Sequence, residues 1–177
     1  MDGYLSRGFT LPELTASLIV VAGILSWGIP SFGDLARDAA RTGEVSQFLQ
    51  AIHLARSEAI KRNGVVSLCP SGNGSTCTDR ADWQVGWIVF VNLDRDSPAA
   101  RDSGETLLHA YPAWARGEIL ANRTTLSFRP FGQSGVTATV TFCDDRGPAK
   151  ARAVIISQSG RPRVSDQSAS GGALNCG

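Results

Sequence analysis

Gly8-Phe9-Thr10-Leu11-Pro12-Glu13-Leu14 leads into a stretch, Leu14 to Gly33, that contains no charged residue. Twenty helical residues at about 1.5 Å each span about 30 Å, the hydrocarbon thickness of a bilayer. The segment is therefore long enough to cross a membrane as a helix. An ordinary secretory signal would place a small-residue cleavage site after the apolar run. None is evident near Trp27-Gly28-Ile29-Pro30-Ser31, and the helical pattern continues past it, so the anchor is expected to stay. Pro12 suits the first turn of such a helix, where its missing N–H would have no partner anyway. Pro30 predicts a kink or local melting. Glu13 is the odd residue. A carboxylate at mid-bilayer costs about 2.5 to 3.5 kcal/mol, so Glu13 either has a partner or sits solvated at the headgroup boundary.

Beyond Pro30 the pattern is amphipathic. Val45, Phe48, Leu49, Ile52, Ala55, Ala59 and Ile60 recur at three- and four-residue steps, and Asp38, Arg41, Glu44, Gln47, Arg56, Glu58, Lys61 and Arg62 fall on other faces. Asn63-Gly64 supplies the stop, with Gly64 expected in the left-handed conformation. His53 has no histidine or cysteine at helical spacing and reads as a solvated or packed residue.

The texture then changes to short β-rich runs between Gly, Pro, Asn, Asp and Ser clusters. Strands are expected over 65–69, 86–92, 106–111, 124–128, 137–143, 153–157 and 163–165. One long helix followed by short strands predicts an α+β fold, the second half of the helix lying on antiparallel sheet. Ile88, Phe90, Leu107, Leu126, Phe128, Val140, Phe142, Val154 and Ile156 are the candidate core, joined by Trp83, Trp87 and Trp114 as packing residues.

A length of 177 residues fits one globular domain and an appendage. The net charge of +1 gives no global field for nucleic acid, so an anionic partner would have to meet a local patch. Cys69, Cys77, Cys143 and Cys176 read as two disulfides in an oxidising compartment, with zinc as the rival reading. The spacing lacks the close pairs of a structural zinc site. The turn-rich loop between Cys69 and Cys77 favours their pairing, which leaves Cys143 with Cys176.

No nucleophile motif or phosphate loop occurs, and His53 and His109 lie in unrelated contexts, so no catalytic residue, cofactor or metal is expected. Asp94-Arg95-Asp96 with Asp102 lacks the glycine and closing glutamate of a calcium loop and reads as a solvated hairpin loop. Gly160-Arg161-Pro162-Arg163 is more suggestive. In an extended segment Arg161 and Arg163 face the same way, about 7 Å apart, a spacing that matches neighbouring phosphates on one nucleic-acid strand. Lys150, Arg146 and Arg152 could widen this patch, and Asp144, Asp145 and Asp166 would oppose it. Exposed arginine pairs also serve as solubility or salt-bridge residues.

The segment from Gly8 to Leu14 resembles the type IV prepilin signature, in which a short polar leader is cut after the glycine and the new first residue is methylated. The resemblance implies a leader over residues 1–8, cleavage between Gly8 and an N-methylated Phe9, and Glu13 as the fifth mature residue. Glu13 would then offset the free amine of a neighbouring subunit during assembly. Cys69-Pro70-Ser71, Trp83 to Trp87, Cys143-Asp144-Asp145-Arg146-Gly147, Ala153 to Ser159 and Gly160 to Arg163 look like the FimT branch of the GspH/FimT minor pilins. That likeness implies a membrane and assembly half of the helix over 9–33, an amphipathic half over 34–63 and a β domain over 64–177. It implies a single-pass protein of the bacterial inner membrane with a periplasmic β domain, carried to the pilus or cell surface on assembly. The implied partners are prepilin peptidase, other minor and major pilins, and DNA bound without sequence preference during natural transformation, through Gly160, Arg161 and Arg163. The competing expectation is a structural minor pilin or type II secretion pseudopilin of a tip complex, without DNA binding.

Overall fold

The computed structural model describes residues 8–131, 134, 135 and 137–177, and the side chains of residues 27–31 lie outside the described set. The expected leader, residues 1–8, therefore falls outside it except for Gly8. Among the described residues one long helix, α1 (Leu11–Arg62), precedes eight strands. Two compact units divide the chain at Ala39/Ala40.

In the first unit Glu13 lies in the first turn of α1, and its N–H and that of Leu14 donate to the Thr10 carbonyl at 3.1 Å. Pro12 occupies that same turn, as its missing N–H demands. The helix continues through Pro30 as one element, so the expected local melting is not found. Leu14, Leu18, Ile19, Val20, Ile24 and Leu25 are all exposed. Among the described residues no helix is long and apolar enough to cross a membrane. The uncharged stretch read from the sequence also includes residues 27–31, whose side chains are not described.

The second unit begins with the remainder of α1. Its end differs in detail from expectation: Asn63 takes the left-handed conformation, with φ 49°. The Asn63 N–H reaches the Ile60 carbonyl at 3.2 Å and the Gly64 N–H reaches the Ala59 carbonyl at 3.1 Å. That pair of bonds satisfies two terminal carbonyls with asparagine as the left-handed residue, one of the few side chains that tolerates it.

The strands form two antiparallel four-stranded sheets. The first has the order β3-β2-β1-β5, from β1 (Val65–Pro70), β2 (Trp87–Asn92), β3 (Leu107–Tyr111) and β5 (Leu126–Phe128). The second has the order β4-β6-β7-β8, from β4 (Glu118–Ala121), β6 (Ala138–Cys143), β7 (Arg152–Ile156) and β8 (Pro162–Ser165). Val45, Phe48, Ala51, Ile52, Ala55 and Ala59 of α1 join Trp83, Trp87, Val89, Leu126, Phe128, Val140, Phe142, Val154 and Ile156 in one core. Phe48 is the hinge pin of this packing. It meets Trp87 of the first sheet and Phe142 of the second edge-to-face, with ring centroids 5.4 and 5.6 Å apart.

Several sequence expectations need correction. Leu107 is 37 % exposed, because β3 is an edge strand whose pairing with β2 shifts at Val89/Phe90. Ile60 is exposed in the last turn of α1. Ile88 and Phe90 are buried, but with Cys69 and Ala99 on the opposite face of β2 from the main core. Strand β4 was absent from the sequence reading. Its four residues, Glu118-Ile119-Leu120-Ala121, favour helix as readily as strand, and only pairing with β6 decides. Gly117 precedes it as the residue that fits: a Cβ there would lie 2.6 Å from the Trp114 ring. The cysteines form Cys69–Cys77 and Cys143–Cys176, and none is free.

Candidate functional site

The β7–β8 hairpin turns at Gly160, whose φ of 72° belongs to the left-handed region that glycine enters without steric cost. Its N–H donates to the Ser157 carbonyl at 2.8 Å, and the Ser157 N–H donates to the Arg161 carbonyl at 3.2 Å. The Ser157 hydroxyl also reaches the Arg161 carbonyl at 3.2 Å. The backbone of Arg161 is thus fixed at the mouth of the turn.

β8 then pairs Pro162 with Ile156, Arg163 with Ile155, Val164 with Val154 and Ser165 with Ala153. Because β8 is the edge of its sheet, Pro162 costs no ladder bond on the free side. Strand alternation puts Arg163 on the face of Ile155 and Ala153, away from the main core. Arg161 and Arg163 are both exposed, and among the described residues neither guanidinium is held by a hydrogen bond or ion pair.

The other basic residues of the expected patch are placed elsewhere. Arg152 begins β7 at the opposite end from the hairpin, about 13 Å away over four strand steps. It shares the alternate face with Val154 and Ile156, and its Nη1 donates to the Ala151 carbonyl at 2.9 Å. Lys150 is exposed at the end of a short 3₁₀ turn, Pro148–Lys150.

Arg146 is committed to Asp144. Its Nη2 approaches Oδ2 at 2.6 Å, and its Nε and backbone N–H both donate to Oδ1 at 3.1 Å. Arg41, 4 % exposed, adds an Nη1 contact to Asp144 Oδ2 at 3.3 Å and a second to the Lys150 carbonyl. Hydrogen bonding to Arg146 holds the Asp144 carboxyl below the usual range, with the charges of Arg146 and Arg41 acting in the same direction and burial opposing them.

Sequence reasoning had placed Arg41 and Glu44 off the apolar face of the helix, yet both are buried. Burial pushes the Glu44 carboxyl up. The missed signal was Asp144, an acidic residue directly after the core strand β6, where an arginine from the helix can meet it.

Two crystal forms of the type IV minor pilin FimU of Pseudomonas aeruginosa strain PAO1 superpose on the chain. One has a TM-score of 0.54 at 18 % identity over 78 % of this chain and 97 % of that one. The other has 0.55 at 20 % over 82 % and 98 %. The fold is therefore that of a type IV minor pilin, with a long N-terminal helix and two small antiparallel sheets. Among curated proteins no sequence matches. The family model described as "Type II transport protein GspH" matches residues 44–160, and the chain belongs to that family.

Proposed function

We propose that the chain is a membrane-anchored minor pilin, cut between Gly8 and Phe9 and methylated at Phe9, that contacts the phosphate backbone of DNA through Arg161 and Arg163. The observation that supports the nucleic-acid reading is the pair of exposed arginines two residues apart, Arg161 at the mouth of the Gly160 turn and Arg163 on the edge strand β8, neither engaged by a hydrogen bond or ion pair among the described residues. Two forks about 7 Å apart suit adjacent phosphates. Gly160 would serve by shaping the turn. Arg146 and Arg152, both engaged within the fold, would add positive field, and Lys150 a distant contact.

The Phe9-to-Gly33 segment would anchor in the inner membrane, with Glu13 facing the amine of a neighbouring pilin and prepilin peptidase acting at Gly8. The β domain would lie in the periplasm and reach the cell surface on assembly. Binding of this kind is weak per subunit, roughly 10⁻⁴ to 10⁻⁶ M at physiological salt, and strengthens by repetition along a filament. DNA capture for natural transformation would use it in that form.

The family description favours a second reading, a type II secretion pseudopilin or structural minor pilin whose β domain packs only with other subunits. One experiment separates the two: DNA gel shift of the detergent-solubilised chain and its Arg161→Gln/Arg163→Gln variant across a salt series. Binding that falls with salt and is lost in the folded double variant supports DNA contact. No binding at low salt supports the second reading.

A further inference from the structure

A cavity of about 380 Å³ opens where the β2–β3 connection meets the end of β5, lined by Val65, Arg95, Ser97, Thr125, Ser127 and Arg129 among others. We propose that it is a binding site for a phosphate group, recognised by the guanidiniums of Arg95 and Arg129 and the hydroxyls of Thr125 and Ser127. These are different residues, on a different sheet, from the arginine pair of the β7–β8 hairpin, so the two proposals stand or fall separately.

Three observations carry it. First, Arg95 and Arg129 both line this cavity and both are exposed, and among the described residues neither guanidinium is engaged by a carboxylate. The acidic residue of the lining, Asp96, is already occupied: Oδ1 accepts from Asn92 Nδ2 at 2.9 Å and Oδ2 from the Ala100 N–H at 2.8 Å. Two cationic forks and one committed carboxylate leave the cavity net positive.

Second, the lining carries two hydroxyls that can donate, Thr125 and Ser127. Ser67 is fully buried and accepts from Asn92 Nδ2 at 3.1 Å. Ser67 Oγ and Ser127 Oγ share a hydrogen bond at 2.8 Å in which either can donate, and with Ser67 as donor the Ser127 O–H is left for the cavity. Thr125 Oγ1 accepts the Ala99 N–H at 3.2 Å, so its hydrogen is likewise available. A cavity lined by two arginines and two hydroxyls that can donate, against one carboxylate already holding two donors, suits an oxyanion.

Third, Arg95 holds a left-handed backbone with φ 62°. That conformation costs a non-glycine residue free energy, and such strain collects at binding sites. Glycine would be the cheaper residue if only the turn mattered.

The test uses the full chain in detergent micelles, with inorganic phosphate as the first probe and deoxyadenosine monophosphate as the second. Isothermal titration and the thermal midpoint are compared with chloride at equal ionic strength. Saturable phosphate binding is expected, weakened about tenfold by Arg95→Gln and by Arg129→Gln, each removing one charge-assisted contact. Arg80→Gln, which removes an exposed charge elsewhere, leaves it unchanged. Arg95→Gly raises the unliganded thermal midpoint while weakening phosphate binding, an outcome that a purely structural Arg95 would not give. Tighter binding of the nucleotide than of free phosphate identifies a nucleotide as the source, and equal binding identifies the free anion; both support the site. Absence of binding by either probe at 10-millimolar-order concentration, or binding untouched by both glutamine variants, overturns it.

Discussion

In the first unit α1 carries Leu18, Ile19, Val20 and Ile24 at 59 to 73 % exposure, while further along the same helix Phe48, Ala51, Ile52 and Ala55 are wholly sealed. The ion pairs differ in the same sense. Arg37 and Asp34 meet at 3.2 Å with about half or more of each side chain in solvent, whereas Arg41 and Asp144 meet at 3.3 Å with 4 % and 5 % exposed. Apolar content does not decide burial on a helix. The facing surface does, and within the second unit the helix packs on two sheets.

The comparison can be broken by substitution. Phe48→Ala should cost the second unit about 3 to 5 kcal/mol, because it empties the contact between both sheets and the helix; chemical denaturation of the detergent-solubilised chain measures it. A loss below about 1 kcal/mol would mean that the sheets close without the helix.

Asp144→Asn should cost about 3 kcal/mol, the lower end for a buried pair, since it removes the carboxylate that both Arg41 and Arg146 meet. The equivalent change in the first unit, Asp34→Asn, should cost at most about 0.5 kcal/mol as befits an exposed pair. Reducing Cys143–Cys176, which spans 33 residues, should cost about 3.7 kcal/mol on the chain-entropy account, and Cys69–Cys77, spanning 8, about 2.5 kcal/mol.

A pH titration of stability sharpens the contrast. The Asp144 carboxyl is held below its unfolded value, so its contribution is present above the unfolded value and is lost as pH falls through the lowered folded one. The Glu44 carboxyl is raised, so its contribution is full below the unfolded value and is lost as pH rises through the folded one. Glu44→Gln should remove the second slope and leave the first. The smallest effect is expected from Leu18→Ala, which should change the unfolding free energy of the second unit by no more than about 0.5 kcal/mol.

How much of this was legible in the sequence follows from the kind of signal each element gives. The helix, the strands around Val66, Phe90, Phe142 and Ile156, and the packing role of Trp83, Trp87 and Trp114 all rest on local periodicity, which a single sequence carries. Strand β4 did not, because Glu118-Ile119-Leu120-Ala121 is defined by its neighbour β6 rather than by its own residues. Asn63 and Gly64 both suited the helix stop, and only the geometry of the last turn chose between them. Arg41 was misread for a related reason: a charged side chain reads as solvent-facing until its partner, 103 residues away, is brought beside it.

The candidate sites divide in the same way. Arg161 and Arg163 stood out because they are two apart in sequence. Arg95 and Arg129 did not, since the loop between β2 and β3 and the end of β5 meet only in the folded sheet.

The edge strand β8 has one more consequence. A protein crowded beside copies of itself risks polymerising through unpaired strand edges, each a template for another chain. The outer edge of β8 opens with Pro162, which has no N–H to offer an incoming strand, followed by the charge of Arg163. The same short segment that presents two arginines therefore also guards the second sheet against amyloid-like growth, and replacing Pro162 with a β-branched residue would remove that guard.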